Sequence, residues 1–231
     1  MKSLLHRHCL KSFGMKQFRN IEKVGGFSLL EMLGVISIIA VLLAAFLPSL
    51  MKARTRASRI NCTNNLKQVG LAFRMWELDH NDKYPDQVSV TNGGMMELVG
   101  TGRAYVHFLV MSNELNTPKL LLCPTDTNRF AAMDWNALRN RNLSYFVGLD
   151  ATDAQPQTII SGDDNFTING VKPKSGLVSY WTNATLAWMA TRHMHQGNIG
   201  LADGSVQSLA STRLNQAWIG TGVATNRFVL P

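Results

Sequence analysis

Cysteine is scarce in this chain, with three residues among 231. That excludes a disulfide-dense secreted scaffold, and no cysteine spacing resembles a zinc ribbon or a redox motif. The sequence also contains no Gly-x-Ser-x-Gly elbow, no Walker loop and no dinucleotide fingerprint. These absences remove the common signatures of hydrolases, nucleotidases and dehydrogenases, so only the grouping of His193, His195 and Asp203 would support an enzyme.

An even spread of basic charge is also missing, although the formal net charge is +8. Residues 1–26 contain six basic residues and one acidic residue, and residues 52–59 contain four basic residues, which leaves the rest about one charge negative. A nucleic-acid-binding domain would need a basic stripe for phosphates. The charge pattern therefore predicts that nucleic acid is not a partner.

One long hydrophobic run is present, from Phe27 to Leu47, and it contains a single charge. Its 21 residues are enough to cross a bilayer as a helix. The basic residues before it favour a cytoplasmic N-terminus, whereas the four in 52–59 favour the opposite orientation. Hydropathy alone leaves a plain signal-anchor open, but the run has no clean small-residue site for signal peptidase.

The single charge in the run, Glu31, distinguishes the alternatives, since a carboxylate in hydrocarbon is costly. It stands in the string GGFSLLEMLGVISIIAVLLAAFLP, which follows a basic leader. This string resembles the class III signal of type IV prepilins and type II secretion pseudopilins. The resemblance implies cleavage by a prepilin peptidase after Gly26 and N-methylation of Phe27. It also implies that Glu31 faces the N-terminal ammonium of a neighbouring subunit during assembly.

The same resemblance implies a single-pass protein of the bacterial inner membrane with its C-terminal domain outside the cytoplasm, alone or in a periplasmic or surface fibre. Its expected partners are the membrane, the peptidase and other pilin-like subunits. The leader is long for this class, and Met15 would give a more typical one. The start therefore stays open between Met1 and Met15.

The predicted fold class is α+β and pilin-like, with a long N-terminal helix packed on a small, loop-rich antiparallel β head. We expect four parts: a cleaved leader at 1–26, a transmembrane helix at 27–50, an amphipathic continuation at 51–80 and a head at 81–231. The continuation has an apolar stripe with helical spacing. Its members are Cys62, Leu66, Val69, Phe73 and Trp76.

Short apolar runs separated by Gly, Asn, Thr and Ser predict the strands of the head. The runs are Tyr105–Met111, Leu143–Val147, Thr158–Ile160 and Leu186–Ala190. A hairpin is predicted from Ile199 to Leu209, in which Asp203-Gly204 fits a tight primed turn.

The head also resembles a large subgroup of prepilin-like proteins. The resemblance rests on CTNNLKQVGLAF from residue 62, CPTD at 123–126, NLSYFVGLDAT at 142–152, SGDDN at 161–165, and Arg192-His193 followed by Asp203-Gly204. It implies a structural motif formed by His193, Asn198, Asp203 and Gly204, but no ligand for the head.

Three candidate sites remain in the head. His193 and His195 with Asp203 are a candidate metal set, although a hydrogen bond from His193 to Asp203 or to a carbonyl, with His195 exposed, is the commoner arrangement. Asp163, Asp164 and Asn165 offer oxygens for calcium, although Asp and Asn side chains in turns usually hydrogen-bond to their own backbone instead. Cys62 and Cys123 allow one disulfide in an oxidising compartment. No cofactor other than calcium is expected.

The leading hypothesis is a structural, non-enzymatic subunit of a type II secretion or type IV pilus-like assembly. The alternatives are a minor pilin whose head binds DNA or a surface ligand, and a solitary membrane-anchored binding protein. A metal-dependent enzyme is a further alternative.

Overall fold

The computed structural model of the protein describes residues 26–231. The predicted leader up to residue 25, with Cys9 and the alternative start Met15, lies outside the described residues. Between Ser49 and Leu50 the chain divides into two units.

The first helix, α1, spans Leu29–Asp79 and remains helical through Pro48. It ends because Asn81 and Asp82 both adopt a φ of 57°, outside the helical region. The amides of His80 and Asp82 return to the carbonyl of Glu77 at 2.9 and 3.2 Å, which caps the last turn. The helix thus ends one residue before the bound of 80 that we expect from the sequence.

Three short helices and eight strands follow α1 among the described residues. The helices are α2 (Ala104–Val110), α3 (Ser112–Leu115) and α4 (Ser211–Ile219), interspersed with 3₁₀ turns that include Pro118–Leu121. The strands are β1 (Tyr145–Gly148), β2 (Ile159–Asp163), β3 (Phe166–Ile168), β4 (Gly176–Trp181), β5 (Leu186–Trp188), β6 (Gln196–Leu201), β7 (Val206–Ala210) and β8 (Thr225–Leu230).

The strands form an antiparallel sheet of six, in the order β4-β8-β1-β2-β6-β7, and a second sheet of two, β3-β5. The predicted α+β class, a long N-terminal helix followed by an antiparallel head, is therefore confirmed. Strands β1 and β2 lie in the middle of the larger sheet and are fully buried. The end of β2 is consequently a rigid, water-excluded position for a side chain.

The apolar stripe of α1 is buried in the main core of the head. Its five residues are each 3% exposed or less and pack with residues such as Phe108, Leu143 and Val147. A second apolar cluster holds the aromatic rings of Phe146, Trp218 and Phe228. The helical spacing of the stripe therefore predicted correctly which face of α1 packs on the head.

Two predictions about local structure are wrong. The run Tyr105–Met111 is mostly the helix α2, because its buried residues fall at helical spacing: Ala104, His107, Phe108 and Met111. The predicted hairpin exists as β6 and β7, but only Gly204 of the Asp203-Gly204 pair has a positive φ, at 83°. A primed type I′ turn needs positive φ at both residues, so the four residues 202–205 that connect β6 to β7 instead form a loop with Gly204 in the left-handed position.

Candidate functional site: the N-terminal segment and a buried polar cluster in the head

The N-terminal segment contains the predicted cleavage and assembly residues. Gly26, Phe27 and Ser28 precede α1, and Glu31 lies in its first turn. The Ser28 amide donates to Glu31 Oε2 at 3.0 Å, the bond that a glutamate at the third helical position makes to the helix N-cap. The Glu31 carboxylate therefore has a hydrogen-bond donor on its own chain, directly before the helix.

The helix surface after Glu31 is apolar and exposed. Large side chains such as Leu29, Leu33 and Val41 are each more than 60% exposed. Among the described residues, α1 is the one helix long and apolar enough to cross a membrane, and none of its most apolar window is buried. Such a continuous apolar surface needs lipid or another apolar partner around it.

In the head, four elements distant in sequence bring together a buried polar cluster. Cys62 comes from the buried stripe of α1, and Cys123 from the turn that follows the 3₁₀ helix Pro118–Leu121. Asp163 ends β2, and His193 lies between β5 and β6. All four are buried, and each turns one sulfur, oxygen or nitrogen atom toward the others, with all of these atoms within 4.8 Å of one another.

Hydrogen bonds order this cluster. Cys62 Sγ donates to Asp163 Oδ1 at 3.4 Å, and Cys123 Sγ lies 3.3 Å from His193 Nε2. The Asp163 Oδ2 atom is 3.9 Å from the same His193 nitrogen. The Tyr145 hydroxyl approaches Cys62 Sγ at 3.3 Å from the side of β1.

Burial and mutual proximity shift the pKa values of the side chains in the cluster. The neighbouring Cys62 thiol lowers the pKa of Cys123, whereas the neighbouring Cys123 together with burial raises the pKa of Cys62. Burial, and then the Cys123 thiolate, raises the pKa of Asp163 to about 6. Burial therefore opposes negative charge on Cys62 and Asp163, and Cys123 is the more acidic of the two thiols.

Asn198 holds the Asp163 carboxylate in place. Its backbone amide donates to Asp163 Oδ2 at 2.7 Å and its side-chain amide donates to the same atom at 2.9 Å. The side-chain oxygen of Asn198, Oδ1, in turn accepts hydrogen bonds from Thr63 Oγ1 at 3.1 Å and from Ser208 Oγ. Asn198 thus fixes the orientation of an acidic side chain that is itself fully buried.

The candidate metal set of His193, His195 and Asp203 is wrong, because the structure places these residues in different surroundings. Asp203 Oδ1 accepts from the Ser205 amide at 2.8 Å within the hairpin turn. His195 is exposed, and its Nδ1 lies 3.2 Å from the Trp188 carbonyl. We expected His193 to hydrogen-bond to a backbone carbonyl or to Asp203, whereas its Nε2 atom lies against Cys123 Sγ.

The residues of the candidate disulfide and of the candidate calcium site also have defined neighbours in the structure. Cys62 and Cys123 are both free thiols in the structure, with their sulfur atoms within 4.8 Å. Asp164 forms ion pairs with Arg192 and with Arg129, whose Nη1 atom lies 2.6 Å from Asp164 Oδ2. The positive charges of these two arginines disfavour calcium binding at Asp164. Asn165 donates to the Arg192 carbonyl at 3.3 Å.

The ion pairs around Asp164 were not predicted from the sequence. Arg192 also lies 3.4 Å from Asp126 Oδ2, which accepts a hydrogen bond of 2.8 Å from Ser144 Oγ. These charges are buried, so they are stable only as a paired network. A usable signal was present for all of them except Arg129, because Asp126, Ser144, Asp164 and Arg192 belong to the CPTD, NLSYFVGLDAT, SGDDN and Arg192-His193 motifs.

His107 is a further buried titratable residue that sequence inspection missed. It is fully buried in α2, and neither ring nitrogen has a hydrogen-bond partner among residues 26–231. Burial lowers the pKa of His107 from 6.5 to about 3. The folded head therefore holds this imidazole neutral at pH values where the unfolded chain would protonate it.

We expect His107→Leu to reduce the acid sensitivity of the head. Because the folded pKa lies below the unfolded pKa, protonation favours the unfolded state, and stability falls as pH decreases from about 6.5 toward 3. The slope is about 1.4 kcal/mol per pH unit for one proton. Urea unfolding at pH 7 and pH 5 should show wild type losing about 2 kcal/mol more than the variant. Equal losses would show that His107 does not stay neutral.

Comparison with known proteins identifies the family. No protein-family model matches the chain, and no solved structure matches it. The chain is 33% identical over 92 residues to the type IV wide pilus major component PilA4 of Thermus thermophilus, and the match covers 40% of this chain and 67% of the relative. Together with an exposed apolar N-terminal helix followed by an antiparallel head, this similarity shows that the chain belongs to the type IV pilin family.

Proposed function

We propose that the chain is a structural pilin-like subunit that works by assembly rather than by catalysis. The observation that carries the proposal is the exposed apolar helix that starts immediately after Gly26-Phe27, with one carboxylate, Glu31, in its first turn. Membership of the type IV pilin family supports it. A surface of this kind anchors the subunit in a membrane before assembly and packs against neighbouring helices afterwards.

In this proposal a prepilin peptidase removes residues 1–26 and methylates the new N-terminus at Phe27. The helix then spans the inner membrane once, with the head outside the cytoplasm. The assembly is a type IV pilus-like or type II secretion fibre. The basic residues of 1–26 and the apolar run after them support the orientation.

Crosslinking in cells tests the assembly. We expect a lysine-reactive crosslinker to give a ladder of multimers for the full chain expressed with its prepilin peptidase and platform proteins. The matched control is the segment 50–231 exported behind an unrelated signal peptide, which keeps the whole head unit and lacks the apolar helix. It should give monomers. A full chain that stays monomeric would indicate a solitary anchored protein, and equal ladders would place the contacts in the head.

A further inference from the structure

The arrangement of Cys62, Cys123, Asp163 and His193 fits a tetrahedral metal centre. Bond lengths of roughly 2.3 Å to sulfur and 2.0–2.1 Å to nitrogen or oxygen put the ligand atoms of tetrahedral zinc about 3.3–3.8 Å apart. Cys123 Sγ lies 3.3 Å from His193 Nε2, and Cys62 Sγ lies 3.4 Å from Asp163 Oδ1. The other carboxylate oxygen, Asp163 Oδ2, lies 3.9 Å from His193 Nε2, and with one ligand atom from each residue all four atoms lie within 4.8 Å of one another. Small side-chain movements would suffice to centre an ion.

The types of ligand select the metal. Two sulfur ligands and an imidazole suit zinc, whereas calcium and magnesium prefer sites made of oxygen atoms alone. Two cysteines and an aspartate in a site without water also concentrate ligands that are anionic when they bind metal. A buried dication offsets that charge more completely than the His193 side chain can.

A second layer of contacts holds the ligands in this orientation. Asn198 donates twice to Asp163 Oδ2, and the Thr125 hydroxyl lies 3.1 Å from Cys123 Sγ. Arg59 donates to the His193 carbonyl at 2.8 Å. Metal ligands are usually fixed by partners of this kind.

The backbone around His193 is also unusual. His193, Met194 and His195 have φ values of 52°, 50° and 60°, in the left-handed region that residues other than glycine adopt only at a cost. Three such residues in succession turn the His193 ring into the interior, where its side chain is 2% exposed. The contacts of the buried His193 imidazole compensate for this backbone strain.

We propose that Cys62, Cys123, Asp163 and His193 bind one Zn²⁺ ion in the head. All four positions of the tetrahedron are then filled by protein, so the centre is structural and has no open position for a hydrolytic water. It ties α1 to the Cys123 turn, to the end of β2 and to the turn before β6. This inference is independent of fibre assembly, because every ligand lies in the unit that begins at Leu50.

Metal analysis of the full chain, purified in detergent with a reductant, tests the site. We expect one zinc per chain by plasma mass spectrometry. His193→Ala and Cys123→Ser should each lower this ratio at least several-fold. His195→Ala is the matched control, because it removes an exposed histidine two residues from the ligand, and it should keep the zinc.

Measurements on the wild-type chain keep the test valid if a ligand variant fails to fold. After chelation, adding Zn²⁺ should raise the melting temperature by about 5–10 °C. Adding Co²⁺ should instead give the visible bands of a tetrahedral ion and the charge-transfer band of thiolate ligands. Loss of both effects in Cys123→Ser would assign the thiolate.

Three results would overturn the proposal. The first is a folded wild-type chain with substoichiometric zinc and no change in melting on adding Zn²⁺. The second is zinc that survives His193→Ala. The third is a Cys62 to Cys123 disulfide, found by alkylation and intact mass in chain isolated without reductant, in a protein whose stability chelation leaves unchanged.

Discussion

Replacing Gly26 by valine is expected to leave the chain as an uncleaved precursor in cells. The peptidase would have to accept a branched side chain directly before the bond it breaks. Within the chain, a Cβ atom added at Gly26 meets nothing within 4 Å, so the substitution causes no clash in the described structure. Any defect therefore reports on the encounter with the peptidase. A loss of about 1.4 kcal/mol of transition-state stabilisation would already slow cleavage tenfold.

Immunoblotting would separate precursor from mature chain, and mass spectrometry would identify the N-terminus as methylated Phe27 in wild type. Gly34→Ala is a suitable control. Gly34 lies in the same apolar helix, and a Cβ atom there also meets nothing within 4 Å. It should mature normally. Normal maturation of Gly26→Val would refute the assignment of a prepilin signal.

Helical periodicity was the most informative signal for the fold. The stripe from Cys62 to Trp76 is long, regular and buried as expected, because one face of a helix must exclude water along its whole length. The run Tyr105–Met111 failed as a strand prediction because seven residues that are apolar except for His107 fit a buried strand and a buried helix equally well. Whether the run forms a strand or a helix depends on the residues that pack against it in the tertiary structure. The sequence of the run does not identify those residues.

The buried cluster shows a different limit of sequence inspection. His193 was grouped with His195 and Asp203 because they are close along the chain, whereas its partner Cys123 is 70 residues away. Spatial grouping depends on how the strands pair, and a single sequence does not give the strand order. The motifs containing Cys62, Cys123, Asp163 and His193 were recognised separately. The fold of the head brings one side chain that can ligate a metal from each motif within 4.8 Å of the others.

Substitution of Glu31 should separate two roles of its carboxylate, one seen in the structure and one implied by the resemblance to prepilins. The carboxylate accepts a hydrogen bond of 3.0 Å from the Ser28 amide, which caps α1. The resemblance to prepilins implies that the carboxylate also meets the Phe27 ammonium of a neighbouring subunit. A glutamine keeps an oxygen acceptor for Ser28 and removes the charge, whereas a valine removes both.

We expect both Glu31→Val and Glu31→Gln to be cleaved after Gly26 and to insert in the membrane at least as well as wild type, since a carboxylate in hydrocarbon costs up to about 3 kcal/mol.

Assembly should fall strongly in both variants, because an ammonium that meets no carboxylate in low dielectric stays uncompensated. The measurement is the fraction of mature chain in crosslinked multimers, normalised to the amount of mature chain in the membrane. A defect in Glu31→Val that Glu31→Gln restores would assign the effect to the helix cap and remove the charge pair. Multimers that both variants leave untouched would mean that Glu31 has no part in assembly, and the chain would then act as a plain membrane anchor for its head.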